Sequence, residues 1–126
     1  MKILVVEDET AIRMMVTSVL RKVGYDVAEA KDGADALQLL RAGLTIDTLL
    51  TDVRMPGADG WTVARAYREQ FPKLPVLYVT GQADDMLPVP GGVLIKKPFR
   101  MSRILTALST FTQSDGSQWR GMAGAA

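Results

Sequence analysis

Residues 3–24 read ILVVEDETAIRMMVTSVLRKVG, which joins two patterns. The first four residues are an uninterrupted apolar run, which is typical of a strand buried on both faces of a sheet. Apolar residues then recur at the spacing of a helix: Ile12, Met15, Val16, Val19, Leu20 and Val23. Gly24 follows the last of them, at the position where a glycine commonly ends a helix. The stretch therefore predicts a buried strand followed by an amphipathic helix.

The same alternation continues along the rest of the chain. Further strands are predicted at residues 25–30, 48–52, 75–80 and 93–96, and further helices at 34–42, 61–71 and 101–111. Units of this kind predict an α/β fold with a parallel, doubly wound sheet and helices on both faces. Because segment 81–92 contains two prolines and a pair of glycines, we expect a shortened fourth helix of one or two turns, around residues 82–87.

Composition limits the possible functions. The 126 residues correspond to one domain, which we expect at 1–112 with a flexible C-terminal tail at 113–126. The chain has no Cys and no His, which excludes disulfides, thiolate and imidazole metal sites, and Ser-His-Asp triads. The net charge of +1 does not suit a dedicated nucleic-acid binder, and no apolar run is long enough to span a membrane. We expect a soluble, cytoplasmic protein.

Polar residues follow four of the predicted strands at their carboxyl ends, where doubly wound sheets bind ligands. Glu7 and Asp8 follow the first strand, Asp52 ends the third, Thr80 ends the fourth and Lys97 follows the fifth. Each has a simpler explanation when taken alone; Asp8, for example, could cap the first helix. If the first and third strands are neighbours, however, three carboxyls share one crevice with a hydroxyl and an ammonium.

Such a crevice needs a cation. Two carboxylates about 4 Å apart repel by roughly 4 kcal/mol at an effective dielectric of about 20, so three cannot all stay ionised unless a cation or a proton joins them. An acidic, all-oxygen set suits Mg²⁺, or alternatively Mn²⁺. Since Mg²⁺ commonly binds carboxylates together with phosphate oxygens, the sequence predicts a metal site that serves a phosphoryl group.

Four motifs also resemble those of a known family. They are VVED at 5–8, DVRMPGADG at 52–60, VTG at 79–81 and KKPF at 96–99. In this order and spacing they resemble the receiver domain of two-component response regulators, the CheY-like superfamily, over about residues 1–112. The resemblance implies a single (βα)5 flavodoxin-like domain with the strand order 2-1-3-4-5. It also implies a cis peptide bond between Lys97 and Pro98.

The resemblance implies a role for each residue of the phosphoryl site. Asp52 would be the phosphoacceptor, which takes its phosphoryl group from a phosphohistidine on a partner. Thr80 would donate its hydroxyl to a phosphoryl oxygen. Lys97 would pair first with the carboxylate of the acceptor and afterwards with the phosphate. Gly81, beside Thr80, would leave the mouth of the site open.

The metal ligands are implied in the same way. Asp8 and Asp52 would ligate Mg²⁺ directly, and Glu7 would act mainly through bound water. Arg54 would offer its backbone carbonyl, because a guanidinium cannot ligate a cation.

Two departures from the family concern signal output. Leu94 stands where the family usually has an aromatic residue, and the segment between the fourth and fifth strands is short. We therefore expect the phosphoryl chemistry to be retained and the usual coupling of Thr80 to an aromatic side chain to be absent.

These observations together predict a stand-alone response regulator of a two-component or phosphorelay system. It would signal by protein contact or act as a phosphate sink or intermediate, and it would not be an enzyme beyond catalysing its own phosphorylation and dephosphorylation. The partner would be a histidine kinase or a histidine phosphotransfer protein. It would contact the site loops and the first helix, where Met14 faces outward with Arg13 and Thr17 beside it. We expect no direct contact with nucleic acid or membrane, and a monomer or weak dimer.

Three alternatives stay open at this point. A receiver-like binding module that is never phosphorylated would fit Leu94 and the short fourth segment. A C-terminal receiver fragment of a hybrid histidine kinase is possible, although Met1 directly before the first strand favours a natural start. A phosphatase of the haloacid-dehalogenase type would need a second acid at the position of Arg54, and is less favoured.

Overall fold

Five strands and four helices make up the part of the chain that the structure describes. The computed structural model describes residues 1–81 and 88–115, with only the backbone of 112–115. The strands are β1 Lys2–Val6, β2 Asp26–Ala30, β3 Thr48–Asp52, β4 Val76–Thr80 and β5 Val93–Lys96. The helices are α1 Thr10–Val23, α2 Gly33–Arg41, α3 Gly60–Gln70 and α4 Met101–Asp115. The helical turn expected at 82–87 and the tail expected at 116–126 lie outside the described residues.

The strands form one parallel sheet in the order β2-β1-β3-β4-β5. Val6 of β1 pairs with Thr51 of β3, and Thr80 of β4 pairs with Lys96 of β5. The chain therefore leaves β1, β3, β4 and β5 at one edge of the sheet. The flavodoxin-like fold and the strand order implied by the resemblance are confirmed.

An apolar layer covers each face of the sheet. Because side chains alternate along a strand, Leu4 and Val6 pack in the layer that contains α2 and α3, and Ile3 and Val5 pack in the layer that contains α1 and α4. All four residues are at most 2% exposed. Burial on both faces explains why β1 reads as an uninterrupted apolar run.

The buried face of α1 differs from the predicted stripe. Met15 and Val23, which were expected in the core, are 43% and 55% exposed, whereas Thr17 is 2% exposed. The hydroxyl of Thr17 donates to the carbonyl of Met14 at 3.3 Å, so its burial leaves no unpaired polar group. A helix contacts a sheet along a line narrower than the stripe, and here that line follows Val16, Thr17 and Leu20.

Capping groups set the helix ends more closely than the apolar pattern does. Gly24 ends α1 with φ at 111°, as predicted. Asp32 and Asp59 cap α2 and α3 by accepting hydrogen bonds from backbone N–H groups, which places each start one residue before its predicted position. Helix α4 continues to Asp115, four residues beyond its last predicted apolar contact, Phe111. Within the described residues, no helix combines the length and apolarity that crossing a membrane requires.

Candidate functional site

Three carboxylates converge at the carboxyl edge of the sheet. Glu7 and Asp8 follow β1, and Asp52 is the last residue of β3. One carboxylate oxygen of each residue lies within 4.8 Å of those of the other two. Glu7 and Asp52 are only 5% and 6% exposed, whereas Asp8 faces solvent. The structure thus brings together the three acids that the sequence singled out.

Lys97 lies between two of these acids. Its Nζ donates to Oδ2 of Asp52 at 3.0 Å and to Oε1 of Glu7 at 3.4 Å. Its backbone N–H donates to the carbonyl of Thr80 at 2.7 Å, which ties the end of β5 to the end of β4. The bond between Lys97 and Pro98 is cis, as the resemblance implied.

The buried charges shift each other's pKa. Burial raises the pKa of Glu7, and the charge of Asp52 raises it further, while the N–H of Glu9 and the ammonium of Lys97 act in the opposite direction. Burial acts to lower the pKa of Lys97, but the hydrogen bond and charge of Asp52, together with Glu7, outweigh it and raise this pKa. Lys97 is therefore a fixed positive charge at neutral pH.

Asp8 does not serve as a helix cap. The N-cap position of α1 is occupied by Glu9, whose side chain makes no capping hydrogen bond. Asp8 itself makes no hydrogen bond or ion pair with the rest of the described chain. Its carboxylate is therefore available to a ligand at the mouth of the crevice.

Thr80, Gly81 and Arg54 stand at the same edge of the sheet. Thr80 is fully buried at the end of β4. Gly81 is exposed, and a Cβ built on it would meet no described atom within 4 Å. Arg54 is exposed in the loop that follows β3, and its guanidinium makes none of the contacts recorded around the carboxylates.

Two glycines pack closely against the loop that follows β3 or the end of β3 itself. A Cβ on Gly60 would overlap the carbonyl oxygen of Asp52 and lie 2.9 Å from Cα of Val53, so α3 begins in direct contact with the end of β3. A Cβ on Gly33 would overlap the carbonyl oxygen of Ala58 in the same loop. Gly60 is the last residue of the DVRMPGADG motif that the sequence singled out. Gly33 was missed, since its contact is with a residue distant in the chain.

Tyr78 is a second residue that the sequence did not indicate. It is fully buried on β4, with its ring centroid 4.6 Å from that of Trp61, and its hydroxyl accepts the N–H of Val89 at 3.0 Å. Leu94, which pairs with Tyr78 in the sheet, is only half-buried. Val89, which lies in the described part of the segment between β4 and β5, is thus held to the sheet by a tyrosine of β4.

Comparison with known proteins gives a consistent result. The sequence model of the response regulator receiver domain matches residues 3–109. The sensor kinase CckA of Brucella abortus (strain 2308) is 35% identical over 112 residues, which are 84% of this chain and 12% of that protein. This chain therefore spans a small part of the length of that relative.

Solved structures agree with the sequence match. A response regulator receiver protein from Sinorhizobium medicae WSM419 superimposes with a TM-score of 0.84 at 33% identity, covering 90% of this chain and 94% of that one. The response regulator TrrA of Thermotoga maritima, solved in complex with Mg²⁺-BeF, superimposes with a TM-score of 0.77 at 26% identity, covering 87% and 97% of the two chains.

Proposed function

This chain belongs to the response regulator receiver domain family, and from that membership we propose that Asp52 is the phosphoacceptor of a two-component or phosphorelay system. One observation carries the proposal. The carboxylate of Asp52 is paired with Lys97 at 3.0 Å and lies within ligand distance of the carboxylates of Glu7 and Asp8. A nucleophile, a countercharge for phosphate and a set of metal ligands thus meet at one point.

The residues present fit Mg²⁺. Three carboxylates and one ammonium leave a formal charge of −2 when all are ionised, which a divalent cation neutralises. Ligand atoms around Mg²⁺ are about 3 to 4 Å apart at a metal–oxygen distance of about 2.1 Å, and the three carboxylate oxygens lie within 4.8 Å of one another. The complex of TrrA with Mg²⁺-BeF supports this choice. Mn²⁺ accepts the same ligands and is the proposed substitute.

The contacts that each carboxylate already makes indicate whether it would bind Mg²⁺ directly or through water. Both carboxylate oxygens of Glu7 have partners, Lys97 on one and the N–H of Glu9 on the other. We therefore assign Glu7 a contact through water, and Asp8 and Asp52 direct ligation. The backbone carbonyl of Arg54 completes the proposed set. When bound, Mg²⁺ supplies charge neutralisation for the incoming phosphoryl oxygens.

The chemistry begins and ends on the same carboxylate. An oxygen of Asp52 attacks the phosphorus of a phosphohistidine, the P–O bond forms, the P–N bond breaks and the leaving imidazole nitrogen takes up a proton from solvent. Lys97 then pairs with a phosphoryl oxygen, and Thr80 donates its hydroxyl to another. The phosphoryl group is later lost in a separate hydrolysis, in which water attacks phosphorus, the P–O bond to Asp52 breaks, and inorganic phosphate, the free carboxylate and a proton to solvent are released. The protein thus turns over only its own phosphate and has no separate substrate.

The proposed phosphoryl donor is a histidine kinase or a histidine phosphotransfer protein in the cytoplasm. The donor would contact the site loops and α1, where Met14 is 62% exposed and offers a flexible apolar side chain to a transient partner. Contrary to expectation, Arg13 and Thr17 do not share this outer surface, since the side chain of Arg13 is 15% exposed and Thr17 is 2% exposed. Output would proceed by protein contact or by passing the phosphate on.

A mass measurement tests the proposed acceptor. The protein is incubated with Mg²⁺ and a small acyl-phosphate donor, and its intact mass is compared with that of Asp52→Asn and of Asp26→Asn. Asp26 is a matched control because its side chain is 70% exposed and pairs only weakly with Lys2, at 3.9 Å. We expect one added phosphoryl group on the wild type and on Asp26→Asn, and none on Asp52→Asn.

Other outcomes would identify the alternatives. An unchanged mass of the wild type would favour a binding module that is not phosphorylated. Catalytic release of phosphate from a small phosphate ester would favour the phosphatase alternative. Phosphorylation of Asp52→Asn at the wild-type level would place the acceptor elsewhere.

A further inference from the structure

Arg13 of α1 points back toward the acidic crevice. Its Nη1 donates to the backbone carbonyl of Glu7 at 2.7 Å, and its Nε lies 3.4 Å from Oε1 of Glu29 at the end of β2. A charged hydrogen bond of this length is among the stronger contacts that a side chain makes. Arg13 therefore contacts the backbone of a residue whose side chain belongs to the acidic cluster.

The carbonyl that Arg13 holds belongs to the peptide between Glu7 and Asp8. Two other bonds fix the turn, from the N–H of Glu7 to the carbonyl of Ala30 at 3.2 Å and from the N–H of Glu9 to the carboxylate of Glu7 at 3.0 Å. The first of these bonds holds the Val6–Glu7 peptide and the second holds the Asp8–Glu9 peptide, so neither holds the plane of the peptide between Glu7 and Asp8. Of the three bonds, the one from Arg13 fixes that plane.

Asp8 depends on this plane for its position. Its carboxylate is exposed and makes no hydrogen bond or ion pair with the described residues, so side-chain contacts do not hold it near Asp52. The direction of the backbone at Asp8 therefore affects whether the two carboxylates stay within 4.8 Å of each other. A rotation of the peptide would move Asp8 away from its partners.

We propose that Arg13 is a positioning residue for the metal site: it holds the Glu7–Asp8 peptide so that Asp8 stays within ligand distance of Asp52. Glu29 forms an ion pair with the guanidinium, whose Nε lies 3.4 Å from one carboxylate oxygen. This inference rests on the proposed function, because it assumes that the acids bind Mg²⁺. Groups that orient metal ligands commonly change metal affinity by about 10–100-fold when they are removed.

A positioning role and a purely electrostatic role for Arg13 predict opposite changes in the affinity for Mg²⁺ when this residue is replaced. Arg13 is a cation near an acidic site, so removing its charge should strengthen the binding of Mg²⁺ if charge were its only effect. Removing a positioning group should weaken binding instead. The sign of the change in affinity therefore separates the two roles.

Arg21 offers a matched control on the same helix. Its Nη2 lies 3.1 Å from Oε2 of Glu29 and donates to the carbonyl of Val27 at 3.1 Å. It shares the carboxylate partner of Arg13 and carries the same charge, but it holds a carbonyl of β2 that is remote from Asp8. Loss of Arg21 reproduces the change in charge and in the ion pair without releasing the Glu7–Asp8 peptide.

The experiment is a calorimetric titration with Mg²⁺ at constant pH and ionic strength, on wild type, Arg13→Met, Arg13→Lys and Arg21→Met. We expect Kd to rise at least about tenfold in Arg13→Met and to stay within about twofold of wild type in Arg21→Met. Arg13→Lys keeps the charge but has a single donor nitrogen in place of Nη1 and Nε, so its Kd should fall between those of wild type and Arg13→Met. Circular dichroism and Tm verify that each variant is folded.

Equal or tighter binding of Mg²⁺ by Arg13→Met would overturn the inference, and so would an equal loss in Arg21→Met. If Arg13→Met does not fold, the Kd of Arg13→Lys for Mg²⁺ is the test. A Kd equal to that of wild type overturns the inference, and a higher Kd supports it. A wild type that does not bind Mg²⁺ would overturn the proposed function itself.

Discussion

At the level of single residues, the buried carboxylate of Glu7 affects the stability of the folded protein. Glu7 is almost fully buried beside a second carboxylate, and its raised pKa shows that the folded protein disfavours its ionised form. A group whose pKa is higher in the folded than in the unfolded state makes stability fall as the pH rises through the interval between the two values. In the metal-free protein, the ionised Glu7 is therefore destabilising at neutral pH.

Replacing this charge should stabilise the metal-free protein. We expect Glu7→Gln to raise Tm at pH 7, because the amide has a similar shape and removes both the cost of burying a charge and the repulsion from Asp52. The gain should shrink as the pH falls toward the unfolded pKa of Glu, about 4.3, since Glu7 of the wild type is then protonated too. Thermal unfolding in the presence of a chelator, at several pH values, measures both effects.

Glu9→Gln provides the comparison for this experiment. Glu9 lies two residues away and is exposed, so its ionised form carries no comparable cost of burial. Its replacement should not raise Tm. A gain of equal size in Glu9→Gln, or a gain in Glu7→Gln that does not depend on pH, would contradict the explanation.

Contacts between elements depend on a few buried polar groups. Tyr67 of α3 is fully buried, and its hydroxyl donates to the carbonyl of Ala36 in α2 at 2.7 Å. Burial and the charge of Asp35 raise the pKa of Tyr67 to about 12. This hydrogen bond joins the two helices that cover one face of the sheet.

Removing this hydroxyl should have an effect that depends on pH. We expect Tyr67→Phe to lose about 1 kcal/mol of the free energy of unfolding at pH 7, because one buried hydrogen bond is lost. Between the ordinary pKa of Tyr, about 10, and the folded value of about 12, only the unfolded wild type ionises. The advantage of the wild type should therefore shrink across this range.

Tyr25→Phe is the control for this prediction, because Tyr25 is only half-buried and its hydroxyl makes none of the hydrogen bonds identified in the described chain. Urea unfolding at pH 7, 10 and 11 would compare the three proteins. A loss in Tyr67→Phe that stays constant from pH 7 to 11 would contradict the role given to burial.

At the scale of the molecule, the order of the strands creates the site. Residues far apart in the chain meet only because β1 and β3 are neighbours and β4 and β5 follow them. Their meeting concentrates negative charge at one edge of the sheet. The folded protein therefore holds a repulsion that the unfolded chain does not have, and a bound cation relieves it.

This repulsion predicts stabilisation by Mg²⁺. A ligand that binds only the folded state at ten times its Kd contributes about 1.4 kcal/mol, which corresponds to a rise in Tm on the order of 5 °C for a domain of this size. We expect such a rise with Mg²⁺ in wild type and a much smaller one in Asp8→Asn, which removes one of the proposed ligands. Differential scanning calorimetry at constant ionic strength measures both.

NaCl at the same ionic strength is the control, because it screens charges without occupying the site. An equal rise in Tm with NaCl alone would show general screening, and an unchanged Tm at millimolar Mg²⁺ would count against the metal site.

Local patterns were sufficient to predict most of the fold and the acids of the site. The uninterrupted apolar run of β1 and the helical spacing that ends at Gly24 reflect burial and backbone geometry, which act over a few residues. The residues at the strand ends could be found because a parallel sheet brings its carboxyl ends to one edge. The strand order itself came from the resemblance to a family.

Other features were decided only by the tertiary structure. Whether Met15 is exposed and Thr17 buried depends on the line along which α1 meets the sheet. Three contacts each need a turn or a distant segment to be in place first. They are those of Arg13 with the Glu7 carbonyl, of Gly33 with the 53–59 loop and of Tyr78 with Val89. A short-range pattern contains no information on such contacts, because their energy arises only once the chain is packed.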